Sequence, residues 1–483
     1  MPHSQQTSYL PAPPATIFLI GVGGIGMSGL AQLLAHLGYR VMGSDRDADG
    51  PGRTVLMTQL KNIGISICEQ DGEELRKQRP DAVIYSSAVE SDNPDRKAAS
   101  DLAIPEVPRA QALNDALNQV GGSQIAIAGS CGKTSVTGWV ASALRELGQP
   151  VLMVCGGFAR EFESGVLPGN FFSDEAPSWL VYEVDESDRS LTAFTPDYGM
   201  VLNIGTDHHE RHELVQLFDA FLANCRVGAV TNANLATELA SLSLTHQVCF
   251  ADRVSSSHTT PVPGTVTPTG YTSAAEGITV SIADIGQIPT RQFGPHSAAN
   301  AAAVLALLNI LPGLPAQRTL AAALSAFRGV RQRFEVIGQA ASGGWIYNDY
   351  AHNVEKIAAA VQTAQELGLG PVRILFQPHG YGPLGFMRDA FREALPDILG
   401  PGDDLVLLPV YYAGGTTSFS PTSAEVAADY AAAGLPVSAA PTREAAEASL
   451  FSSPGNDGVV LVLGARDPSL PVWCHELLAI GDG

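Results

Sequence analysis

The chain has 483 residues, more than one ordinary core holds and enough for about three domains. Hydrophobic residues make up 45% and charged residues 16%, which excludes a disordered chain and indicates well-packed globular units. A net charge of −21 disfavours nonspecific binding to nucleic acid or to an acidic membrane, while leaving room for a local basic pocket.

Six scattered cysteines (Cys68, Cys131, Cys155, Cys225, Cys249, Cys474) show neither metal-type pairing nor disulfide density, as expected of a reducing cytosol. The first residues carry no cationic-then-apolar signal, and no apolar run approaches the length of a membrane span. The expectation is a cytoplasmic protein without membrane insertion.

The first predicted strand is Ile17-Phe18-Leu19-Ile20, followed by Gly21-Val22-Gly23-Gly24-Ile25-Gly26. Gly21, Gly23 and Gly26 fit the dinucleotide fingerprint, and Met27, Leu30, Ala31, Leu34 and Leu37 mark one face of the helix that follows. Gly38 stops that helix. Tyr39 to Gly43 reads as the next strand, ending at Ser44 and Asp45, where an acid about 20 positions past the glycines ligates a ribose hydroxyl in such folds. A further strand reads at Ala82 to Ser86. The fingerprint alone leaves three readings open: NAD in a dehydrogenase, another diphosphate ligand, or a structural Rossmann-like unit.

The second unit opens near Gly121. Apolar Ile125-Ala126-Ile127-Ala128 leads into Gly129-Ser130-Cys131-Gly132-Lys133-Thr134-Ser135, and Val136, Trp139, Val140, Ala143, Leu144 and Leu147 then recur at helical spacing. Strand, glycine turn, Lys-Thr and helix form an anion cradle for ATP or GTP. Loop amides and the helix N-terminus face phosphate, the lysine neutralises charge and the hydroxyl ligates Mg2+. The full P-loop pattern wants a further glycine where Ile127 stands, and the short form alone also describes an ordinary strand-to-helix turn with a surface lysine.

Leu180-Val181-Tyr182 delivers Glu183, Asp185, Glu186 and Asp188, and Val201-Leu202-Asn203-Ile204 delivers Asp207, His208 and His209. Such acids are a solvated turn or, at strand ends beside a phosphate loop, a Mg2+ site. Ser255 to Gly277 reads as loops or short β excursions, and the unit runs to about Gly338.

The third unit alternates strands and helices. Trp345-Ile346-Tyr347 leads to Asp349-Tyr350-Ala351-His352 and an alanine-rich helix ending at Gly368. Val372 to Phe376 leads to Gln377-Pro378-His379, and further strands read at Leu405 to Leu408 and at Val459 to Leu463, before Gly464-Ala465-Arg466-Asp467. Polar residues follow these strands, where open α/β sheets place ligands. All three units read as α/β.

Taken in order, these motifs resemble the Mur ligases, ATP-dependent amide-forming enzymes of peptidoglycan precursor synthesis. The resemblance rests on Gly21 to Gly29, the Lys133-Thr134 loop, Glu183 to Asp188, Asn203 with Asp207-His208, Gly294-Pro295-His296 with Asn300, and Phe376 to His379. It implies three domains: a Rossmann-like UDP-sugar domain over 1–118, a central P-loop ATPase-like domain over 119–337, and a Rossmann-like C-terminal domain over 338–483 that closes over ATP and brings the amino acid. A UDP-sugar in the first domain replaces NAD and removes the dehydrogenase reading.

The residue roles are likewise implied by the resemblance. Gly129, Ser130, Gly132, Lys133, Thr134 and Ser135 hold the ATP phosphates, and Thr134, Glu183 and His208 hold Mg2+. His296 and Asn300 match the adenine side, and Arg333 and Asp349 match residues that engage phosphate and ribose. Gly21, Gly23, Gly24, Gly26, Asp45, Ser86 and Ser87 match the UDP-sugar side, while Tyr350, His352 and His379 match contacts to the incoming substrate. Lys133, Glu183, His208 and His352 are the catalytic candidates. His352 is a candidate base for an amine, or a structural contact at a strand end.

Several positions depart from the family pattern. Cys131 replaces a histidine, Gln332 replaces the first of two arginines, and Asn353-Val354 replaces His-Pro. Gly380-Tyr381-Gly382-Pro383 replaces Arg-Tyr-Thr-Arg, removing two guanidinium groups from the loop expected to face substrate anions. Arg388 and Arg466 are candidate replacements. The favoured function is the joining of L-alanine to UDP-N-acetylmuramate through an acyl phosphate. The alternatives are a divergent paralogue joining another carboxylate or amine, and an inactive nucleotide-binding regulator. The residues leave oligomeric state open.

Overall fold

A computed structural model of the chain describes residues 8–50, 52–186, 190–205, 211–235, 238–239, 246–250, 265–341, 343–412, 419–451 and 458–479. The chain divides into two compact units. One comprises residues 1–271, 279–290 and 296–330; the other comprises 272–278, 291–295 and 331–483.

The first unit holds two parallel sheets in succession. The first sheet is built from β1 (Thr16–Ile20), α1 (Ile25–His36), β2 (Arg40–Ser44), α2 (Thr54–Asn62), β3 (Ser66–Cys68), α3 (Glu73–Gln78), β4 (Ala82–Tyr85), α4 (Pro94–Asp101), β5 (Glu106–Pro108) and α5 (Arg109–Val120). Its order is β3-β2-β1-β4-β5, so the chain reverses direction across the sheet beside β1, where such sheets open a crevice. Ile17 to Ile20 are fully buried because both faces are covered. Ile17 and Leu19 pack with Leu30, Leu34 and Leu113, whereas Phe18 and Ile20 pack with Leu75, Ala98 and Ala99.

The second sheet follows from β6 (Ser123–Ala128), α6 (Lys133–Glu146), β7 (Val151–Val154), β8 (Phe171–Ser173), β9 (Trp179–Glu183), β10 (Tyr198–Val201), α7 (Arg211–Ala223), β11 (Gly228–Asn232) and β12 (His246–Phe250). Its order is β12-β11-β10-β6-β9-β7-β8, parallel except for the antiparallel edge strand β8. β6 lies between β9 and β10, with Ile127 opposite Glu183 on one side and Met200 on the other. The carboxyl ends of three strands are thereby brought to the phosphate-loop turn.

Next come β13 (Pro268–Ala274), β14 (Gly277–Ile282), β15 (Gly286–Pro289), α8 (Pro295–Ile310) and α9 (Gln317–Ala323), with β14 and β15 antiparallel. Of the stretch read as loops or short β excursions, 255–264 lies outside the described residues, and the remainder carries β13. Trp139 of α6 stacks on Phe327 at 5.5 Å, and its Nε1 donates to the Leu324 carbonyl at 2.9 Å. That bond satisfies the indole N–H in a buried position.

The second unit contains β16 (Glu335–Gln339), β17 (Trp345–Asp349), α10 (Val354–Glu366), β18 (Val372–Gln377), α11 (Tyr381–Ile398), β19 (Asp404–Leu407), α12 (Ser423–Ala432), β20 (Val437–Ala439), α13 (Arg443–Phe451), β21 (Val459–Gly464) and α14 (Leu470–Glu476). The order is β16-β17-β21-β18-β19-β20, with β16 antiparallel to β17. β21, the last strand in the chain, lies between β17 and β18, so its end meets the ends of two strands far earlier in sequence. Asn353 caps α10 by accepting from Lys356 N at 2.9 Å, which gives the Asn-Val departure a structural use. Among the described residues, no helix is long and apolar enough to cross a membrane.

Within the first unit the two sheets are tied by Asn170, which is fully buried. Its Nδ2 donates to the Ile25 carbonyl at 2.7 Å and to Ser28 Oγ at 2.8 Å, and its Oδ1 accepts from Gln32 Nε2 at 2.8 Å. Removing this amide strands several buried polar groups at once. Asn170→Ala is expected to cost about 2–3 kcal/mol of the first unit's stability, measured by denaturant unfolding; a change within about 0.5 kcal/mol would show that the cluster does not hold the sheets.

Candidate active site

β6 ends at Ala128, and the chain turns through Gly129 to Gly132 before α6 begins at Lys133. The turn is latched from the β10 side. Cys131 N donates to Asn203 Oδ1 at 2.8 Å, and Asn203 Nδ2 donates back to the Cys131 carbonyl at 3.0 Å. Ser130 N donates to the Asn203 carbonyl at 3.2 Å, and Gly205 N donates to Ser130 Oγ at 2.8 Å. Gly132 takes φ +87°, and a Cβ there would lie 3.1 Å from Asn300 Oδ1. The left-handed backbone favours glycine at that position, and the close approach leaves little room for a side chain. Cys131 is exposed, and Ser135 lies in the first turn of α6.

Lys133 Nζ turns back over the loop, donating to the Gly129 carbonyl at 2.6 Å and to Glu186 Oε2 at 2.7 Å. Glu186 is 3% exposed. This is an ion pair inside the fold, and for Glu186 it excludes the solvated-turn reading of the acidic cluster. Thr134 Oγ1 donates to Glu183 Oε2 at 2.9 Å. Gly156 makes room for that carboxylate, since a Cβ there would come within 1.6 Å of Glu183 Oε1. A hydroxyl and a carboxylate side by side are hard oxygen donors of the kind Mg2+ takes. His208, with Asp188, Asp207 and His209, lies outside the described residues. Among the described residues, no group of three or more His, Cys, Asp or Glu is disposed to hold a metal ion.

His296 and Asn300 lie one turn apart on α8, and the Gly132 contact sets Asn300 against the loop. At the first sheet, Gly21 N and Val22 N both donate to the Ser44 carbonyl, at 2.8 and 2.9 Å. Gly24 N donates to the Gly21 carbonyl at 3.0 Å, closing the turn. Asp45 is buried, accepting from Gly23 N at 2.9 Å and from Asp47 N at 3.0 Å. Ser86 (half-buried) and Ser87 (exposed) follow β4, the neighbour of β1. Two arginines with no spacing signal in the sequence join this turn. Arg53 Nη1 donates to the Gly23 carbonyl, and Arg109 Nη1 would lie 3.0 Å from a Cβ at Gly26.

In the second unit, Asp349 accepts from Phe334 N at 2.7 Å and from Ala351 N at 2.8 Å. Burial raises its carboxyl pKa, with Arg333 and the two backbone N–H groups opposing. The Arg333 guanidinium lies 5.4 Å from the Tyr350 ring. The rings of His352 and His379 meet edge to face at 5.1 Å, bringing the ends of β17 and β18 together. His352 Nδ1 is 2.8 Å from the Tyr350 carbonyl. Burial holds the pKa of both imidazoles down. His379 is brought to about 4, with the charges of His352 and Arg466 adding to the burial.

Of the candidate replacements for the missing guanidiniums, Arg388 pairs with Asp429 at 3.1 Å, whereas Arg466 is exposed at the end of β21. Arg466 adopts φ +69°, a sparsely populated conformation for an L side chain. Arg443 has no sequence signal; it donates to Asp467 at 2.5 Å and to Gln377 at 3.0 Å, tying β21 to β18.

The His379 shift sets a direction for stability. Between about 4 and 6.5 the unfolded chain binds a proton that the folded unit does not, so stability rises with pH across that window. Conversely, acidification from pH 6.5 toward 4 should weaken the second unit. His379→Gln should flatten that slope in pH-dependent unfolding curves; an unchanged slope would show that His379 does not carry it.

Three family profiles match the chain: "Mur ligase family, catalytic domain" over residues 16–120, "Mur ligase middle domain" over 127–308, and "Mur ligase, glutamate ligase domain" over 332–466. The UDP-N-acetylmuramate–L-alanine ligase of Anaeromyxobacter dehalogenans is 33% identical over 481 residues, covering 96% of this chain and 98% of the relative. The ligase of the same name from Streptomyces griseus is 29% identical, covering 95% and 96%. A solved UDP-N-acetylmuramate–alanine ligase from Thermotoga maritima superposes with a TM-score of 0.77 at 25% identity, covering 96% of this chain and 98% of that one. A murein peptide ligase from Psychrobacter arcticus, at 19% identity and a TM-score of 0.64, shares the fold. With profiles matched in order and relatives spanning nearly its whole length, the chain belongs to the Mur ligase family of ATP-dependent ligases.

Proposed function

We propose that this protein joins L-alanine to the carboxylate of UDP-N-acetylmuramate in peptidoglycan precursor synthesis, releasing ADP and phosphate, and that it does so in the cytoplasm. The observation that carries the reading is the latched loop at the head of α6, with Lys133 above it and Thr134 against Glu183. Full-length similarity to ligases named for this substrate pair supports it. We assign the UDP-sugar to residues 1–118, ATP to 119–337 and the amino acid to 338–483.

A carboxylate is a poor acyl donor, and it repels a triphosphate. In the proposed reaction the carboxylate takes the γ-phosphoryl group as an acyl phosphate, a neutral amine attacks the acyl carbon, and phosphate leaves. Lys133 offsets the spreading negative charge, while Gly129, Ser130, Gly132 and Ser135 orient the phosphate chain through the loop and helix N-terminus. Mg2+, when bound, supplies further charge neutralisation of the phosphoryl oxygens, with Thr134, Glu183 and His208 as the residues that would hold it.

His296 and Asn300 take the adenine side, and Arg333 and Asp349 the phosphate and ribose. Gly21, Gly23, Gly24, Gly26, Asp45, Ser86 and Ser87 serve the UDP-sugar, joined by Arg53 and Arg109. Tyr350 and His379 contact the incoming amine, and His352, kept neutral by burial, accepts its proton.

One observation favours a second reading, ligation of a different amine. Gly380 to Pro383 bears no guanidinium, and Arg388 is committed to Asp429. Arg466 then remains to meet the amino acid's carboxylate.

Phosphate release measured with ATP, UDP-N-acetylmuramate and a panel of amino acids separates the readings. Release dependent on L-alanine is expected; release only with another amine selects the second reading, and release with none sinks both. Lys133→Ala should lower kcat by about 10²–10³. Arg466→Ala should raise KM for the amino acid by about tenfold with little change for ATP, and an unchanged KM would remove Arg466 from that role.

A further inference from the structure

Lys133 and Glu186 stand in a relation that the ligase reading leaves unused. The ammonium group is drawn toward the loop's own Gly129 carbonyl and held by a carboxylate 2.7 Å away. The two side chains are only 16% and 4% exposed. Water screens such a pair poorly, so separating it strands a carboxylate inside the protein. A phosphate chain entering the loop needs the same ammonium group. It therefore competes with Glu186 for Lys133, and its own charge is repelled by the carboxylate left behind.

We propose that Glu186 is a positioning residue, a counter-charge that holds Lys133 back over its own loop and makes the loop select a metal-complexed triphosphate over a free one. A metal-free triphosphate meets the full repulsion of the released carboxylate. A triphosphate carrying a divalent cation brings positive charge that offsets it. The apparent affinity for either form scales with the fraction of Lys133 that Glu186 leaves free, and the metal-free form alone bears the uncompensated repulsion in addition. The inference rests on the reading of residues 129–135 as the ATP loop.

Calorimetric titration of the full-length protein with ATP in EDTA, and with ATP in excess Mg2+, tests this. Glu186→Gln keeps the side-chain shape and removes the charge. It is expected to bind metal-free ATP about tenfold more tightly than the native protein, and to narrow the gap between the two nucleotide forms. Metal-free affinity that is unchanged or weaker in Glu186→Gln overturns the proposal. If that variant is unfolded by circular dichroism, Glu186→Ala, which likewise removes the charge, is judged by the same criterion. A native protein that binds ATP in neither form sinks the ligase reading as well; one that binds ATP while the variants match it sinks this inference alone.

Discussion

A loop proposed to grip phosphate must keep its amides aimed outward and must not fold in on itself, and this constraint organises the first unit. The Asn203 side chain meets it by pairing with both the N–H and the carbonyl of Cys131. The latch comes from the segment after β10, a strand that pairs with β6, so the loop's shape depends on the sheet being assembled. On the other side of β6, Glu183 ends β9 beside Thr134. Strand order therefore does the positioning: three carboxyl ends converge where the helix N-terminus begins.

The second unit solves a different problem with the same architecture. In the proposed reaction an amine and its base must meet there without either being quenched by charge. Burial, with the charges of His352 and Arg466 adding to it, brings the pKa of His379 down to about 4, and burial also lowers that of His352. The two rings come from different strand ends, and β21 between those strands supplies Arg466. Arg443 ties Asp467 and Gln377 from behind, holding the ends of β21 and β18 in register.

The departures from the family pattern have distinct physical consequences. Asn353 serves as a helix cap, a role suited to a short side chain with an acceptor oxygen. Pro383 sits in the first turn of α11, where its missing N–H costs little, so the Gly380–Pro383 segment still starts a helix although it carries no cation. Loss of the cations changes the chemistry of the loop without breaking the fold. Gln332 sits at φ +58°, and nothing in the structure explains why a glutamine stands there.

The linear sequence determined which of the longer central segments become strands and where the turns after them fall, because buried parallel strands are short apolar runs and tight turns favour glycine. Ile17–Ile20 with Gly21, Ile125–Ala128 with Gly129, and Val372 to Phe376 with His379 were all legible for that reason. Short or edge elements such as β3, β8 and β16 carried too little pattern to be read. Tertiary structure alone decided that Arg53 reaches Gly23, that Arg443 binds Asp467, that Arg388 is spent on Asp429, and that Glu186 leaves solvent to hold Lys133. Each of these joins residues tens of positions apart, and their distance in space follows from sheet order and burial, which no local spacing encodes.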